Sequence, residues 1–344
     1  MTKHAVGHVM IHLSLKCNFK CDHCQYSSGP KVESAIPIDA AKDYLSQLPG
    51  LETESLGISG GEPTLYPHLD EVISYADSLR RETGYPKEIY MNTNGSWAVS
   101  EEHALKRLRT LKCIGLDRLR VSDGVLHRKF NQQQQIENLR NVRGQEGIPK
   151  VFIGEGYDII AVGRARNKIP TYEWSFGEPV PCCDLTEFIL ADAFPESFCR
   201  SVYIFPDGVY ACCYRSAYLG NEGRLAQLVE NGMDNPVFGV IGNYSLDELS
   251  KIIGDKISPR IQREIGSLPV CAACNDLFDD EETIAGIRSE SSRVLKMAED
   301  SLQKLLMEGK EWDDNFPEFE RRVKEMGLEH IKEILSELSE KRNS

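Results

Sequence analysis

Cys17, Cys21 and Cys24 fall in one short run, Cys17-Asn18-Phe19-Lys20-Cys21-Asp22-His23-Cys24. Thiolates are soft ligands that select zinc, copper(I) or iron–sulfur clusters. A structural zinc site wants four ligands in a closed tetrahedron, yet the next cysteine in the chain is Cys113. Three cysteines on one loop suit a four-iron cube better, holding three irons and leaving the fourth open to a substrate or cofactor. The remaining cysteines cluster as Cys182/Cys183, Cys199, Cys212/Cys213 and Cys271/Cys274, with Cys113 alone. In a reducing compartment such clusters bind metal or do chemistry more often than they form disulfides. Cys113 is expected to be a small buried core residue.

The elements that must position these groups are legible from periodicity. Strand signals at Val9–Leu15, Ser55–Ser59, Glu88–Asn92 and Arg118–Ser122 alternate with helix signals at Ile38–Leu48, around Leu69–Leu79, at Glu101–Leu111 and at Asn131–Val142. The Gln132–Gln135 run reads as a solvated helix face. Strand-helix alternation predicts a parallel sheet, with ligands at the carboxyl ends of its strands. After Pro149 the rhythm compresses. Val151–Ile153 and Asp158–Val162 both read as strands, separated by too few residues for a parallel crossover. From about residue 178 the alternation stops and cysteines become dense, which predicts a second domain over 178–280. Residues 281–344 read as a charged helical extension, with helices at Ile287–Leu306 and Phe316–Leu338 that are expected to pack as a lid or brace, a partner-binding helix being the alternative. The fold class expected is α/β, a partial (β/α) barrel over 1–177 followed by a small cysteine-rich domain.

The cysteine triad resembles that of the radical S-adenosylmethionine (SAM) enzymes. In that family the open iron of a 4Fe-4S cluster binds the amino and carboxylate groups of SAM, whose reductive cleavage gives a 5′-deoxyadenosyl radical. Further motifs occur in the family's order. Ser59-Gly60-Gly61-Glu62-Pro63 resembles the GGE motif, which implies that Gly60 and Gly61 let backbone approach the ligand and that Glu62 accepts from the SAM amino group. Met91-Asn92-Thr93-Asn94-Gly95 places Asn92 and Asn94 to reach the ribose or methionine, and Ser122 ends the fourth strand where SAM is contacted. Val162–Arg166 resembles a late barrel motif in which Arg164 pairs with the SAM carboxylate. His23 holds the position, usually aromatic, that lies near the adenine.

The later cysteines resemble the Twitch, or half-SPASM, extension, which binds an auxiliary 4Fe-4S cluster. Asp207-Gly208 makes a hairpin turn, and the resemblance implies Cys199, Cys212, Cys271 and Cys274 as ligands. Cys213 stands as an alternative to Cys212, Cys182 or Cys183 as alternatives to Cys199, and zinc as the alternative metal. Neighbours in an extended strand point to opposite sides, so ligation by Cys212 turns Cys213 elsewhere. The layout is most similar to radical SAM peptide epimerases, in which a cysteine donates a hydrogen atom to a Cα radical; Cys213 would be that donor. A merely buried Cys213 is the structural alternative.

The chain has 344 residues, with 41% hydrophobic and 27% charged residues, and a formal net charge of −13. That charge argues against nucleic acid or an anionic membrane surface as the main partner. No apolar run approaches the roughly 20 residues that span a bilayer, and the N-terminus lacks a signal peptide, so a cytoplasmic location is expected. With only 16 residues before Cys17, no leader-binding domain is expected, and a peptide substrate would enter the barrel directly. Three functions follow: Cα epimerisation of a peptide; two-electron oxidation of an alcohol or aminocyclitol, or peptide crosslinking, with the auxiliary cluster as electron acceptor; and a non-catalytic metal-binding module. The last leaves the GGE and Met91–Gly95 motifs unexplained. The resemblance also implies an electron donor such as flavodoxin or ferredoxin.

Overall fold

In the computed structural model, which describes residues 5–123, 127, 130, 133–154, 164, 200–211, 217–244, 246–265 and 270–310, the alternating segments form one sheet. Strands β1 (His8–His12), β2 (Ser55–Ser59), β3 (Glu88–Thr93), β4 (Arg118–Ser122) and β5 (Lys150–Gly154) pair in chain order, all parallel. Helices α1 (Ile38–Ser46), α2 (Leu69–Thr83), α3 (Glu101–Cys113) and α4 (Gln133–Val142) are their crossovers. Alternation along the strands sets the two faces. Val9, Ile11, Leu56, Ile58, Ile89, Met91, Leu119 and Val121 are all buried. His8, Met10, Tyr90, Asn92, Arg118, Arg120 and Ser122 occupy the alternate positions and are less buried, Tyr90 excepted. The glutamine run behaves as expected in its described part, Gln133 and Gln134 being exposed while Ile136 and Leu139 are buried.

The first of the two predicted late strands is present. Lys150–Gly154 pairs in parallel with β4, whereas Asp158–Val162 lies outside the described residues, as does Phe316–Leu338. Cys113 departs from expectation: it is the last residue of α3 and is exposed, because the buried stripe of that helix runs through Ala104, Leu108 and Leu111.

The sheet continues past β1 with an element that the sequence assigned elsewhere. Strand β6 (Ser201–Phe205) pairs in parallel with the free edge of β1. Strand β7 (Gly208–Tyr210) returns antiparallel to β6, and β8 (Tyr218–Gly220) adds to β7. The order is therefore β5-β4-β3-β2-β1-β6-β7-β8. The expected hairpin turn is present, with Gly208 at φ +148°, where a side chain is strained. By contacts, Ser201–Tyr210 and Tyr218–Val229 group with the barrel strands rather than with a separate domain beginning at 178. An unpaired β1 edge leaves hydrogen-bonding groups open, and β6 satisfies them.

The second compact unit is helical in its described part. It contains α6 (Pro236–Asn243), α7 (Leu246–Ile253), α8 (Pro259–Glu264), α9 (Val270–Phe278) and α10 (Glu281–Lys310), following α5 (Leu225–Met233), which begins in the first unit. Asn235 and Ser258 cap α6 and α8 by accepting from Val237 N–H and Ile261 N–H. Helix α10 contains the expected 287–306 helix and extends it at both ends. No described helix is long and apolar enough to cross a membrane.

Candidate functional site

The chain leaving β1 does not wander before its cysteines. Leu13 N–H donates to the Ser59 carbonyl, Gly61 N–H to that of Ser14 at 2.7 Å, and Glu62 N–H to that of Lys16 at 2.9 Å. The β1–β2 pairing thus runs on past the strand ends into the cysteine loop. The two glycines of the GGE turn are explained by this seam. A Cβ on Gly60 would stand 2.2 Å from the Ser14 carbonyl oxygen, and one on Gly61 would stand 2.1 Å from that of Lys16. Their role is close approach to the cysteine loop itself, whereas the sequence reading had a ligand as the approaching group.

On the far side the loop closes on itself, with Cys17 N–H donating to the Gly29 carbonyl and Gly29 N–H to that of Leu15. Cys17 and Cys21 are buried and Cys24 is half-buried; all three pack with Phe19 and Phe130. Those two rings stack with centroids 4.5 Å apart. Arg164 braces the loop. Its backbone N–H donates to the Cys24 carbonyl, and its guanidinium donates to the carbonyls of Cys21 (2.5 Å) and Ser28. Arg164 therefore clamps loop backbone in this structure.

Glu62 is likewise engaged by protein. It is 1% exposed. Its Oε1 accepts from the Thr64 backbone N–H (3.2 Å), Thr64 Oγ1 (2.7 Å) and Thr93 Oγ1 (2.8 Å), and its Oε2 accepts from Asn94 N–H (2.8 Å). Burial pushes its carboxyl upward from the ordinary range, and these donors pull it back down. It does not line the cavity formed by the cysteine loop and the strand ends. Asn94 is also held within the protein. Its Nδ2 donates to Asn18 Oδ1 at 2.9 Å and approaches Cys17 Sγ at 3.8 Å, while its Oδ1 accepts from Ser96 N–H.

A cavity of about 210 Å³ opens where these pieces meet. Its wall is built from the cysteine loop and the carboxyl ends of β2, β3 and β4, the position expected for a parallel sheet. All three cysteines and His23, Gly60, Gly61, Asn92, Asn94 and Ser122 line it. Among the predicted SAM contacts, only Glu62 and Arg164 are absent from that wall.

The wall also holds residues the sequence reading did not single out. Ser28 and His127 line it. The His23 and His127 rings meet edge to face at 4.5 Å, and the ligand atoms of Cys21, His23 and His127 lie within 4.8 Å of one another. No spacing signal links His127 to the triad, because a strand, a helix and two loops intervene repeatedly between them.

The donor set fits an iron–sulfur cluster with SAM. Three thiols converge on one cavity, and two buried polar atoms on its wall, Ser28 Oγ and Asn92 Oδ1, have no hydrogen-bond partner among the described residues. Such atoms are costly unless a ligand or water satisfies them. In the metal-free chain, burial pushes the Cys17 thiol up to about 11, opposed by the Phe19 N–H that donates to its sulfur and reinforced by the charge of Glu62. A ligating cysteine must be a thiolate, so metal binding here expels a proton.

Of the proposed auxiliary ligands, Cys271 and Cys274 lie at i and i+3 of α9. Cys199, Cys212 and Cys213, with Cys182 and Cys183, lie outside the described residues.

Residues 11–123 match the family model of the Radical SAM superfamily. Over 133 residues the chain is 25% identical to the "Putative peptide biosynthesis protein YydG" of Bacillus subtilis (strain 168), covering 38% of this chain and 40% of that protein. Over 128 residues it is 30% identical to the GTP 3′,8-cyclase of Aquifex aeolicus (strain VF5), covering 36% and 37%. The matched segment thus spans about two fifths of these curated relatives. Among solved structures it resembles BtrN in complex with AdoMet and 2-DOIA, with a TM-score of 0.46, 18% identity, and coverage of 70% of this chain and 87% of that one. Strand ends, cysteine loop and GGE turn all fall inside the matched stretch, and the chain carries a radical SAM domain over residues 11–123.

Proposed function

We propose that this chain is a radical SAM enzyme that modifies a peptide, by Cα epimerisation with Cys213 as hydrogen donor. The observation that carries the radical reading is the convergence of Cys17, Cys21 and Cys24 on a cavity at the carboxyl ends of β2–β4. The peptide reading draws on the similarity to YydG, whose name refers to peptide biosynthesis.

When bound, the cluster with SAM supplies the 5′-deoxyadenosyl radical that takes a substrate hydrogen. Cys17, Cys21 and Cys24 would hold it, with Ser28 Oγ and Asn92 Oδ1 offering the wall's unpartnered polar atoms to SAM. The Ser14, Lys16, Cys21 and Ser28 carbonyls are tied down by Gly61, Glu62 and Arg164, so the loop keeps one shape as the ligands deprotonate. This is the preorganisation that a radical site requires. In the epimerisation step the Cys213 S–H bond breaks and a Cα–H bond forms on the opposite face. The resulting sulfur radical is returned to the thiol by one electron, from a flavodoxin- or ferredoxin-type donor, and one proton from solvent. A second 4Fe-4S cluster on Cys199, Cys212, Cys271 and Cys274 belongs to this same proposal.

Anaerobically reconstituted full-length chain, given SAM and dithionite, is expected to release 5′-deoxyadenosine, and Cys17→Ala to abolish it. No release from the wild-type chain overturns the radical reading. Product formed in D2O is expected to carry deuterium at Cα, and to lose it in Cys213→Ala. Unlabelled product from an active enzyme points instead to oxidation or crosslinking.

A further inference from the structure

The face of the sheet that carries Asn92 and Ser122 also carries two guanidinium groups that no SAM contact uses. Arg118 and Arg120 alternate with Leu119 along β4, and both lie over the Tyr90 ring, at 5.0 and 4.7 Å from its centroid. That ring is held in place, since Tyr90 Oη pairs with His8 Nε2 at 3.2 Å and His8 Nδ1 with Ser55 Oγ at 2.8 Å. The two arginines differ in charge balance. Arg118 is paired with Glu88. Arg120 is exposed and makes no ion pair or hydrogen bond among the described residues, only the ring contact. A second cavity of about 210 Å³ opens at this point, lined by Arg118, Arg120, Val121, Phe152 and Gly154. Phe152 is 53% exposed there, an apolar wall beside an unneutralised cation.

We propose that Arg120 receives a carboxylate of the substrate, with Phe152 covering the apolar part of the same group. This deepens the peptide reading and rests on it, since an acidic side chain or a C-terminal carboxylate supplies such a group. Position supports the assignment. Arg120 is the register partner of Asn92, and Ser122 that of Gly154, so the two cavities share a sheet face. Two residues along a strand is about 7 Å, which sets Arg120 one side-chain layer from the Ser122 end of the radical cavity. Charge selects the ligand. With Arg118 neutralised by Glu88, the wall offers one free cation among the described residues. That matches a single carboxylate, whereas a triphosphate requires several cations. A guanidinium held over an aromatic face still presents a planar fork of donors, the group that binds carboxylate in bidentate fashion.

The test uses the anaerobically reconstituted full chain and two probes, N-acetylglutamate N-methylamide and its neutral glutamine isostere, titrated by ligand-observed NMR with and without SAM. The carboxylate probe is expected to bind about 10-fold or more tightly than the isostere, the range of a charge-assisted pair. Arg120→Gln should erase that preference and Arg120→Lys should restore part of it, with SAM still bound. A preference that survives Arg120→Gln overturns the proposal. So does abolition of probe binding by SAM, which would assign the subsite to the carboxylate of SAM itself. Tighter, Arg120-dependent displacement by a nucleoside triphosphate would replace carboxylate by phosphate. Absence of 5′-deoxyadenosine alongside an intact, Arg120-dependent preference would sink the radical reading and leave this one standing.

Discussion

Glu62→Gln separates two roles for the GGE carboxylate. Substitution keeps the shape and removes one acceptor oxygen. In the less costly orientation the new carbonyl oxygen keeps the Thr64 and Thr93 donors, and the new NH2 faces Asn94 N–H, which now sits 2.8 Å from its acceptor. The loss is one hydrogen bond to a charged acceptor, about 1.5–3 kcal/mol, together with about 1–3 kcal/mol for a buried donor left unmatched. Relief of burying a carboxylate offsets part of this, and a net destabilisation of about 2 kcal/mol remains. Because Thr93 Oγ1 also accepts from Trp97 Nε1 at 3.1 Å, the damage should spread to Trp97. The assay is urea unfolding of the chain without cluster or SAM, followed by tryptophan fluorescence, with hydrogen exchange read over 59–66 and 91–97. Glu62→Gln should lower the midpoint and speed exchange in both segments. An unchanged midpoint and unchanged exchange, with only SAM affinity reduced, would refute the clamp and leave Glu62 a dedicated SAM ligand.

Gly61→Ala puts a Cβ 2.1 Å from the Lys16 carbonyl oxygen and 2.9 Å from the Leu15 carbonyl carbon; neither backbone atom can turn away. It should cost about 1–3 kcal/mol or more and reduce iron bound per chain on reconstitution, and wild-type iron content and Tm would contradict the seam. For His8, burial, aided by Arg120 and Arg118, lowers the pKa from 6.5 to about 4, against the Ser55 hydrogen bond. A depressed histidine stabilises the fold above pH 6.5, and this contribution, at most about 3 kcal/mol, is lost as pH falls toward 4. NMR titration should place the His8 midpoint near 4 and Arg120→Gln should raise it, whereas a midpoint near 6.5 would show an exposed ring. In the cluster-free chain at pH 8, iodoacetamide should alkylate exposed Cys113 at least about 100-fold faster than Cys17, whose thiol is buried and shifted up to about 11. Comparable rates by mass spectrometry would contradict the packing of the loop.

The sequence by itself determined the elements and the order of the motifs. Local periodicity is a property of neighbouring residues, so Ser55–Ser59 and Arg118–Ser122 were readable to the residue, and the thiols of Cys17, Cys21 and Cys24 could be placed on one loop after one strand. Tertiary structure alone decided what each side chain touches. Glu62 and Arg164 were singled out by motif resemblance alone; the structure adds their partners within the protein, the Asn94 and Thr93 donors and the Cys21 and Ser28 carbonyls, brought together across long stretches of chain. The same holds for Ser201–Phe205: the hairpin turn at Asp207-Gly208 was readable, but not that the strand before it pairs with the edge of β1. Cys113 turned outward because helix phase, rather than residue type, sets burial. Arg120 shows its free charge only once Glu88 is seen to neutralise its neighbour. Composition and spacing report what a residue is able to do; pairing across the sheet determines which of those capacities is already satisfied.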